Sequence, residues 1–406
     1  MIKYPKELEK IFTKLQQKDI RAIIVGGYLR DAFLKKDSKD IDIELYGIDS
    51  LQKVEELLEE FGDVNSVGKS FGVVKLLYNG LDLDFSLPRK DSKIAKGHKG
   101  FEVSINSSLS FEEASRRRDF TMNAIGYDVV QKRVLDPHGG IEDIKNKIIR
   151  AVDLEKFDED PLRVLRAVGF ASRFDFTIEK NLYKKCQKMI EQGSLEQLPK
   201  ERIFTELQKM LLKSKKPSKA FFLLRDFGAF GYFKEFLALS KEEQEALFFA
   251  LERAPKDLLI LFAVLIYNFS AEEKITFLQR VTQDKKFIQS LFELASTPLS
   301  LESYSDYDLY KIATKVKISD LSKLLSARYP EKKELVKKMI QRAKDLNIYE
   351  KELPHLLRGK DLIDLGIKPS KEFSKILNSI YEAQMRGEVT SKKEALIYLD
   401  RLLILT

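Results

Sequence analysis

Two carboxylates, Asp40 and Asp42, are separated by one residue in a stretch that alternates acidic and apolar residues up to Leu45. This alternation predicts a β-strand, on which residues two apart point to the same side. Like charges held side by side need a cation between them, and carboxylate oxygens are the ligands that Mg²⁺ prefers. A pair of Mg²⁺ ions about 4 Å apart would suit in-line phosphoryl transfer. The alternative is an exposed edge strand, because Glu44 continues the acidic alternation.

A third carboxylate comes from a predicted hairpin. Residues 71–78 and 81–85 flank Asn79-Gly80, a dipeptide typical of a tight turn between antiparallel strands. If the second of these strands lies beside the first acidic strand, Asp84 completes a cluster of three carboxylates. Asp82 shares the face of Asp84 by parity, so spacing alone leaves both residues open.

Gly26 and Gly27 end a predicted strand at residues 20–25 and are followed at once by a helical run through Phe33. Glycines let a backbone approach an anion closely, and a helix N-terminus offers free N–H groups and a positive dipole end. This arrangement would suit a triphosphate. An ordinary strand-to-helix turn has the same signature, so the glycine pair is weak evidence by itself.

The composition limits the kinds of protein that this chain can be. Its 406 residues, 44% of them hydrophobic, predict a globular protein of roughly two to four domains. The net charge of +8 favours a polyanionic partner. A single cysteine, Cys186, excludes a disulfide framework within the chain, and three histidines leave little scope for a histidine metal cage. Any metal is therefore expected on carboxylates.

Targeting and membrane signals are weak in this sequence. The N-terminus is charged from its third residue, so no secretory signal is expected. The most apolar run, residues 258–267, is shorter than the roughly 18 residues that a membrane span needs. These features predict a cytoplasmic protein without a membrane partner.

The two halves of the chain have different patterns. Residues up to about 150 mix β-rich runs with helical stretches and hold much of the glycine. From Asp158 onward, apolar residues recur at helical spacing, as in residues 163–174, 202–212 and 220–227. The sequence therefore predicts an α/β domain followed by a long all-helical region.

A series of motifs makes this chain resemble the polymerase-β-like nucleotidyltransferases. More narrowly, it resembles the class II tRNA nucleotidyltransferases (CCA-adding enzymes) and the related bacterial poly(A) polymerases. The first motif is the Gly-Gly turn, then Arg30-Asp31, then Asp-x-Asp nine residues later. The next blocks follow in the family's order: Arg117-Arg118-Asp119-Phe120-Thr121-Met122-Asn123-Ala124, Asp136-Pro137-His138-Gly139-Gly140, Glu159-Asp160-Pro161-Leu162-Arg163 with Arg166-Ala167, and Glu201-Arg202-Ile203.

This resemblance implies an α+β fold in which a polymerase-β-like head with a mixed sheet precedes an all-helical remainder. The implied parts are a catalytic head at residues 1–150, a neck for base selection at 151–213, a body at 214–345 and a tail for tRNA docking at 346–406. The family has an Arg where this chain has Gly169, so one cation of the neck is in doubt. A polar, basic segment at residues 90–110 resembles the family's mobile loop.

The resemblance also implies the catalytic residues. Asp40, Asp42 and Asp84 would bind two Mg²⁺ ions. The family places the third carboxylate five residues before an Arg, and Arg89 puts it at Asp84 rather than Asp82. The residues implied in nucleotide binding are Gly26, Gly27, Arg30, Asp31, Arg117, Arg118, Asp119, Asn123, Asp160, Arg163 and Arg166.

Asp160 and Arg163 have two interpretations. Asp160 before Pro161 is typical of a helix start, with the carboxylate as cap and proline in the first helical position. In the family, this pair would instead read the base. Cytosine and adenine each present an amine beside a ring-nitrogen acceptor, which a carboxylate and a guanidinium match, whereas uracil and guanine leave both groups unpaired. The two roles are compatible because a carboxylate has several lone pairs.

The implied function is template-independent addition of the 3′-terminal CCA of tRNA from CTP and ATP. The implied partners are the 3′ end and acceptor arm of tRNA, and basic runs such as residues 213–219 either meet its phosphates or are solvated faces. A CC-adding or A-adding enzyme and a poly(A) polymerase share the same motifs. A non-catalytic RNA-binding protein is the alternative from a different class, and the intact carboxylates speak against it.

Overall fold

The computed structural model describes residues 2–65, 72–93, 101–298, 304–369 and 371–405. The chain forms two compact units, residues 1–232 and 233–406. The first unit contains the predicted sheet and is mixed α and β, while the described part of the second consists of helices and turns, as the helical periodicity predicted. The division into head, neck, body and tail remains a prediction.

The first unit is built on a seven-stranded mixed sheet with the strand order β3-β4-β5-β2-β1-β8-β9. Two further two-stranded sheets are formed by β6 with β7 and by β10 with β11. The strands are β1 (Arg21–Val25), β2 (Asp40–Tyr46), β3 (Val64–Asn65), β4 (Val73–Tyr78), β5 (Leu81–Ser86), β6 (Arg89–Lys93), β7 (Phe101–Ile105), β8 (Gly126–Asp128), β9 (Arg133–Leu135), β10 (Ile148–Ile149) and β11 (Thr177–Ile178).

Nine helices belong to the described part of this unit. They are α1 (Leu8–Gln16), α2 (Gly27–Phe33), α3 (Leu51–Leu58), α4 (Phe111–Ser115), α5 (Gly140–Asn146), α6 (Leu162–Phe174), α7 (Lys180–Glu191), α8 (Lys200–Leu212) and α9 (Pro217–Asp226). A single 3₁₀ turn at Thr121–Asn123 separates α4 from β8. The predicted helical runs are present as α6, α8 and α9, and α6 packs against the other two.

The second unit is described by ten helices. They are α10 (Lys241–Arg253), α11 (Leu258–Ile266), α12 (Ala271–Val281), α13 (Lys285–Ser296), α14 (Asp306–Ala313), α15 (Ile318–Arg328), α16 (Lys333–Asp345), α17 (Gly359–Asp364), α18 (Lys371–Met385) and α19 (Lys392–Leu405). Helix α11 is buried along most of its length, which explains its uniformly apolar sequence. Across the described ranges, no helix is both long and apolar enough to cross a membrane.

The pairing of β2 with β5 decides where the carboxylates lie. The two strands are parallel, with Asp40 opposite Asp82 and Asp42 opposite Asp84. Ile41 and Ile43, which alternate with the β2 carboxylates, are buried on the other face. The predicted hairpin is present, since β4 and β5 are antiparallel and joined at Asn79-Gly80; Phe71 lies outside the described residues. The alternative, an exposed edge strand, is therefore wrong, because β2 lies between β1 and β5.

Gly140 explains one of the sequence motifs physically. Its amide and that of Ile141 donate to the carboxylate of Asp136, at 2.7 and 2.9 Å, at the start of α5. A Cβ atom at Gly140 would lie 2.2 Å from the carbonyl oxygen of Thr121. The start of α5 is therefore in direct backbone contact with the 3₁₀ turn that carries Asn123, and only glycine permits this approach.

We expect Gly140→Ala to destabilise the first unit by about 3 kcal/mol, because the clash is with backbone that can relax only by moving the turn. Gly231→Ala is the matched control, since a Cβ atom there meets nothing within 4 Å. Thermal unfolding followed by circular dichroism measures both variants. Equal melting temperatures for Gly140→Ala and the wild type would show that the contact is not a constraint.

Candidate active site

A large cavity of about 1340 Å³ opens over the carboxylate face of β2 and β5. Asp40, Asp42, Asp82 and Asp84 line one part of it, and Lys75 from β4 lies among them. The Nζ atom of Lys75 donates to both carboxylate oxygens of Asp84, at 2.8 Å each. The structure thus places the three predicted catalytic carboxylates on one surface, with a lysine as the counter-charge of Asp84.

The clustered negative charge of this surface would suit a divalent cation. Burial raises the pKa of Asp42, and Asp84 and Asp40 raise it further against the opposing effect of Arg118. Within the described residues, no three metal-ligating side chains already converge on one point. Mg²⁺ prefers negatively charged oxygen ligands. Asp40, Asp42 and Asp84, the predicted ligands, would provide such oxygens on this surface.

A second cavity, of about 370 Å³, adjoins the two glycines. Every residue lining it belongs to the set predicted for the site from sequence: Gly26, Gly27, Arg30, Asp42, Arg118, Asp119, Asn123 and Arg166. Gly26 has a φ of 75°, and a Cβ atom there would lie 2.9 Å from the Arg118 guanidinium and 3.1 Å from Asp42. The glycine therefore lets a basic and an acidic side chain approach the same backbone turn.

A continuous chain of hydrogen bonds holds the walls of this smaller cavity. Arg30 donates to both oxygens of Asp31, at 2.9 and 3.0 Å, and to Asn123 Oδ1 at 2.8 Å. Asn123 Nδ2 donates to Asp119 at 2.9 Å, and Arg166 donates to the other oxygen of Asp119 at 2.6 Å. Residues from α2, the 3₁₀ turn and α6 are thereby linked, which fixes their side-chain geometry.

Asp119 is the buried centre of this chain. Burial opposes its ionisation, but Arg166 and the hydrogen bonds from Asn123 and the Phe120 amide hold its pKa below the usual range. The residue therefore remains a carboxylate that orients Arg166 and Asn123. Asp119 also lines the smaller cavity, so its part in nucleotide binding stays a prediction.

Arg117 and Arg118 differ in their surroundings, which the sequence could not show. Arg117 donates to the buried carboxylate of Glu44 at 2.7 Å, whereas Arg118 lines the smaller cavity. Burial opposes the ionisation of Glu44, but Arg117 and Arg118 together hold its pKa below the usual range. Arg118 is thus the better placed of the two to meet a phosphate group, and Arg117 is committed to Glu44.

Asp160 and Arg163 are not among the residues that line either cavity. Asp160 accepts hydrogen bonds from the Leu162 amide and from Arg202, both at 3.1 Å. Arg163 donates to the carbonyl oxygens of Lys156 and Arg117, at 2.9 Å each. The predicted helix start is present, one residue later than expected, because α6 begins at Leu162. Base reading by this pair stays a prediction.

Among the residues that line the large cavity, five basic ones were not in the predicted site: Lys39, Lys75, Arg173, Lys209 and Lys213. Lys75 faces Asp84 across the β4–β5 hairpin, so the predicted hairpin register contained this signal. Arg173 follows Arg166 by two helical turns on α6, and Lys209 and Lys213 are one turn apart. Helical spacing from Arg166 could therefore have identified Arg173.

Three family models match successive segments of the chain. Residues 22–150 match the family model "Poly A polymerase head domain". Residues 175–239 match "Probable RNA and SrmB- binding site of polymerase A", and residues 258–399 match "tRNA nucleotidyltransferase domain 2 putative". In these three segments the chain is similar to poly(A) polymerases and tRNA nucleotidyltransferases.

Curated relatives are similar over somewhat more than half of the chain. A multifunctional CCA protein of Chromobacterium violaceum is 37% identical over 231 residues, which are 57% of this chain and 52% of that protein. A CCA-adding enzyme of Coxiella burnetii is 34% identical over 247 residues, 61% and 62% of the two chains. The aligned region thus spans between about half and three fifths of these relatives.

Solved structures extend the likeness in fold to the whole chain. The crystal structure of the Bacillus stearothermophilus CCA-adding enzyme in complex with CTP superposes with a TM-score of 0.75 and covers 99% of both chains, at 24% identity. A complex of a CCA-adding enzyme with ATP gives a TM-score of 0.67 at 22% identity, covering 98% of this chain and 96% of the other. The predicted nucleotidyltransferase fold with a helical remainder is confirmed.

The buried Glu44–Arg117 pair generates a stability prediction. Glu44→Gln leaves the Arg117 guanidinium without its counter-charge, and we expect a loss of about 3 kcal/mol at neutral pH. Because the folded-state pKa of Glu44 lies below its ordinary value of 4.5, its contribution is complete above that pH and is lost as the pH falls through the folded-state pKa. The difference between the wild type and Glu44→Gln should therefore shrink in acid.

Urea unfolding of both proteins between neutral pH and pH 3 measures this difference. Asp49→Asn is the control, because Asp49 forms an exposed ion pair with Lys53 that should matter little to stability. A difference between the wild type and Glu44→Gln that stays constant with pH would contradict the assignment.

Proposed function

We propose that this protein is a cytoplasmic, template-independent RNA nucleotidyltransferase that adds or repairs the 3′-terminal CCA of tRNA from CTP and ATP. The main structural support for this proposal is the parallel register of β2 and β5. It puts Asp42 opposite Asp84, and Asp42 also lines the cavity at Gly26 and Gly27. The substrates are inferred from the family and from the named relatives. They also accord with the net positive charge of the chain.

In the proposed reaction, the 3′-hydroxyl of the RNA loses its proton to water, and its oxygen forms a bond to the α-phosphorus of the nucleotide. The bond between that phosphorus and the bridging oxygen breaks, and pyrophosphate leaves with the electron pair. Nucleotidyltransferases of this family use divalent metal ions. We propose Mg²⁺, which when bound at Asp40, Asp42 and Asp84 would lower the pKa of the hydroxyl and neutralise charge on the leaving group.

The chain's own residues would position the triphosphate. Arg118 lines the cavity beside Gly26, and a planar guanidinium matches phosphate oxygens well. Arg166 lies in the same cavity and is held by Asp119, so its charge is already oriented before a ligand arrives. Such preorganisation lowers the cost of stabilising charge in the transition state. The ion pair between Lys75 and Asp84 would break when the Asp84 carboxylate binds a divalent ion.

The decisive assay follows nucleotide incorporation on three tRNA transcripts, ending before CCA, after C and after CC. Sequencing the 3′ ends should show addition of C, C and A to the shortest transcript and then a stop. Addition of A to the CC-ended transcript alone would identify an A-adding enzyme, addition that stops at CC would identify a CC-adding enzyme, and long A tails would identify a poly(A) polymerase. No incorporation on any transcript would favour a non-catalytic RNA-binding protein.

Substitutions of the two β5 carboxylates distinguish the third metal ligand. We expect Asp84→Asn to lower the rate of incorporation at least about 100-fold, as Asp40→Ala should, because metal-bound charge is lost at the reacting centre. Asp82→Asn, on the same face two residues away, should stay within about threefold of the wild type. RNA affinity should be nearly unchanged in all three variants. A larger effect of Asp82→Asn than of Asp84→Asn would reverse the assignment.

The base-reading hypothesis has its own test. If Asp160 and Arg163 read the base, the double variant Asp160→Ala with Arg163→Ala should relax selection against UTP and GTP, because the unpaired groups that reject them are removed. Misincorporation is measured by sequencing products made with each nucleotide alone. Arg202→Ala is the matched control, since it removes the partner of Asp160 without removing the carboxylate. Unchanged nucleotide preference would show that Asp160 and Arg163 only stabilise the start of α6.

A further inference from the structure

The basic run at residues 213–219 divides into two parts with different electrostatic surroundings. Lys216 and Lys219 form ion pairs with Asp175, at 2.8 and 2.9 Å. These hydrogen bonds lower the pKa of Asp175 to about 2. Lys213, at the end of α8, instead lines the large cavity that also holds the carboxylates. The run is therefore neither a uniform solvated face nor a uniform phosphate-binding patch.

Arg173 lies close to the same cavity and shares its counter-charge. Its guanidinium is 3.8 Å from Asp31, but Arg30 already donates to both oxygens of that carboxylate. It also lies 5.0 Å from the centre of the Phe174 ring, and Lys36 lies 4.8 Å from that centre. The single negative charge of Asp31 is thus shared by Arg30 and Arg173 and also acts on Lys36, so positive charge is in excess here.

The neighbouring charges show the same excess. Burial lowers the pKa of Arg173, and Arg30 lowers it further against the opposing effect of Asp31. Burial also lowers the pKa of Lys36, and the next two contributions are repulsion from Arg173 and Lys215. Basic groups that repel one another beside an open cavity are stabilised by an anion that enters it.

Helices α6 and α8 form one basic wall of the large cavity. Arg166 and Arg173 occupy one face of α6, and Gly169 lies between them on the helix. A Cβ atom at Gly169 would have its nearest neighbours, Glu206 and Met210, at 3.8 Å. Lys209 on α8 is engaged by the buried Glu206 at 2.8 Å. Arg173 and Lys213 are therefore the cations on this wall best able to bind a ligand.

We propose that Arg173 and Lys213 bind backbone phosphates of the RNA strand whose 3′ end is extended. This inference rests on the proposed function for the identity of the strand. Both residues line the large cavity but not the smaller one at Gly26 and Gly27, where the triphosphate is expected. The large cavity, at about 1340 Å³, exceeds the roughly 300–1,000 Å³ typical of a site for one small ligand.

The test measures RNA binding separately from nucleotide use. Fluorescence anisotropy with a labelled tRNA transcript ending in CC, without nucleotide, gives the RNA affinity as a function of salt. We expect Arg173→Ala and Lys213→Ala each to weaken binding about 5- to 10-fold at low salt. Each should reduce the slope of log affinity against log salt by about one, as loss of one phosphate contact does. KM for CTP should remain within about twofold of the wild type.

Two further variants serve as controls. Lys219→Ala removes a positive charge from the same basic run, but one that is paired with Asp175, so RNA affinity should change by less than about twofold. Arg173→Lys keeps the charge and should retain most of the binding, which distinguishes loss of a phosphate contact from loss of folding. Lys213 is exposed, so Lys213→Ala is not expected to disturb the fold.

Several outcomes would overturn the proposal. A raised KM for CTP with unchanged RNA affinity would assign the two residues to the triphosphate. Equal losses in Lys219→Ala and Lys213→Ala would show a diffuse effect of net charge, and unchanged RNA affinity in both test variants would exclude the site. If the wild type binds RNA through Arg173 and Lys213 but incorporates no nucleotide, the proposed function fails, while the RNA-binding role of the two residues stands.

Discussion

The parallel pairing of β2 with β5 is the constraint on which the candidate site depends. It places Asp40, Asp42, Asp82 and Asp84 on one face of the sheet, where their charges repel. The opposite face fixes this register, because Ile41, Ile43, Leu83 and Phe85 are buried there. A slip of one residue would expose these apolar side chains and bury the carboxylates. The hydrophobic effect therefore supplies the free energy that holds the acidic groups together.

Sequence blocks that lie far apart in the chain are joined in the structure by hydrogen bonds and close backbone contacts. Thr121, in the Arg-Arg-Asp block, donates to the buried carboxylate of Asp143 at 2.7 Å, and Arg150 pairs with the same carboxylate. Asp143 belongs to α5, whose first residue, Gly140, contacts the carbonyl of Thr121. The block that contains Gly140 thus never lines the described cavities, yet it fixes the turn that presents Asn123. Some motif residues act on a ligand, and others position those that do.

Sequence reasoning succeeded where local periodicity decides the structure. Alternation over β2, the Asn79-Gly80 turn and the glycine pair each have a direct geometric meaning, and each was found. It failed where the decisive partner is distant along the chain. The different surroundings of Arg117 and Arg118 depend on Glu44, and the division of the basic run depends on Asp175. Neither partner is marked by spacing, because tertiary packing alone brings it near.

The division of charge within the large cavity has a physical consequence for its ligands. A polyanion that met the carboxylate surface alone would be repelled, and a divalent cation that met Arg173 and Lys213 alone would be repelled as well. A cavity with both kinds of wall admits the two together, since each wall neutralises one of them. The distance between the acidic and the basic wall also matters. If every lysine were paired directly with a carboxylate, the acidic wall could not bind a cation and the basic wall could not bind an anion. Among the described residues of β4 and β5, Lys75 with Asp84 is the one direct pair between the two kinds of charge, and a cation bound by Asp84 would compete with Lys75 for that carboxylate.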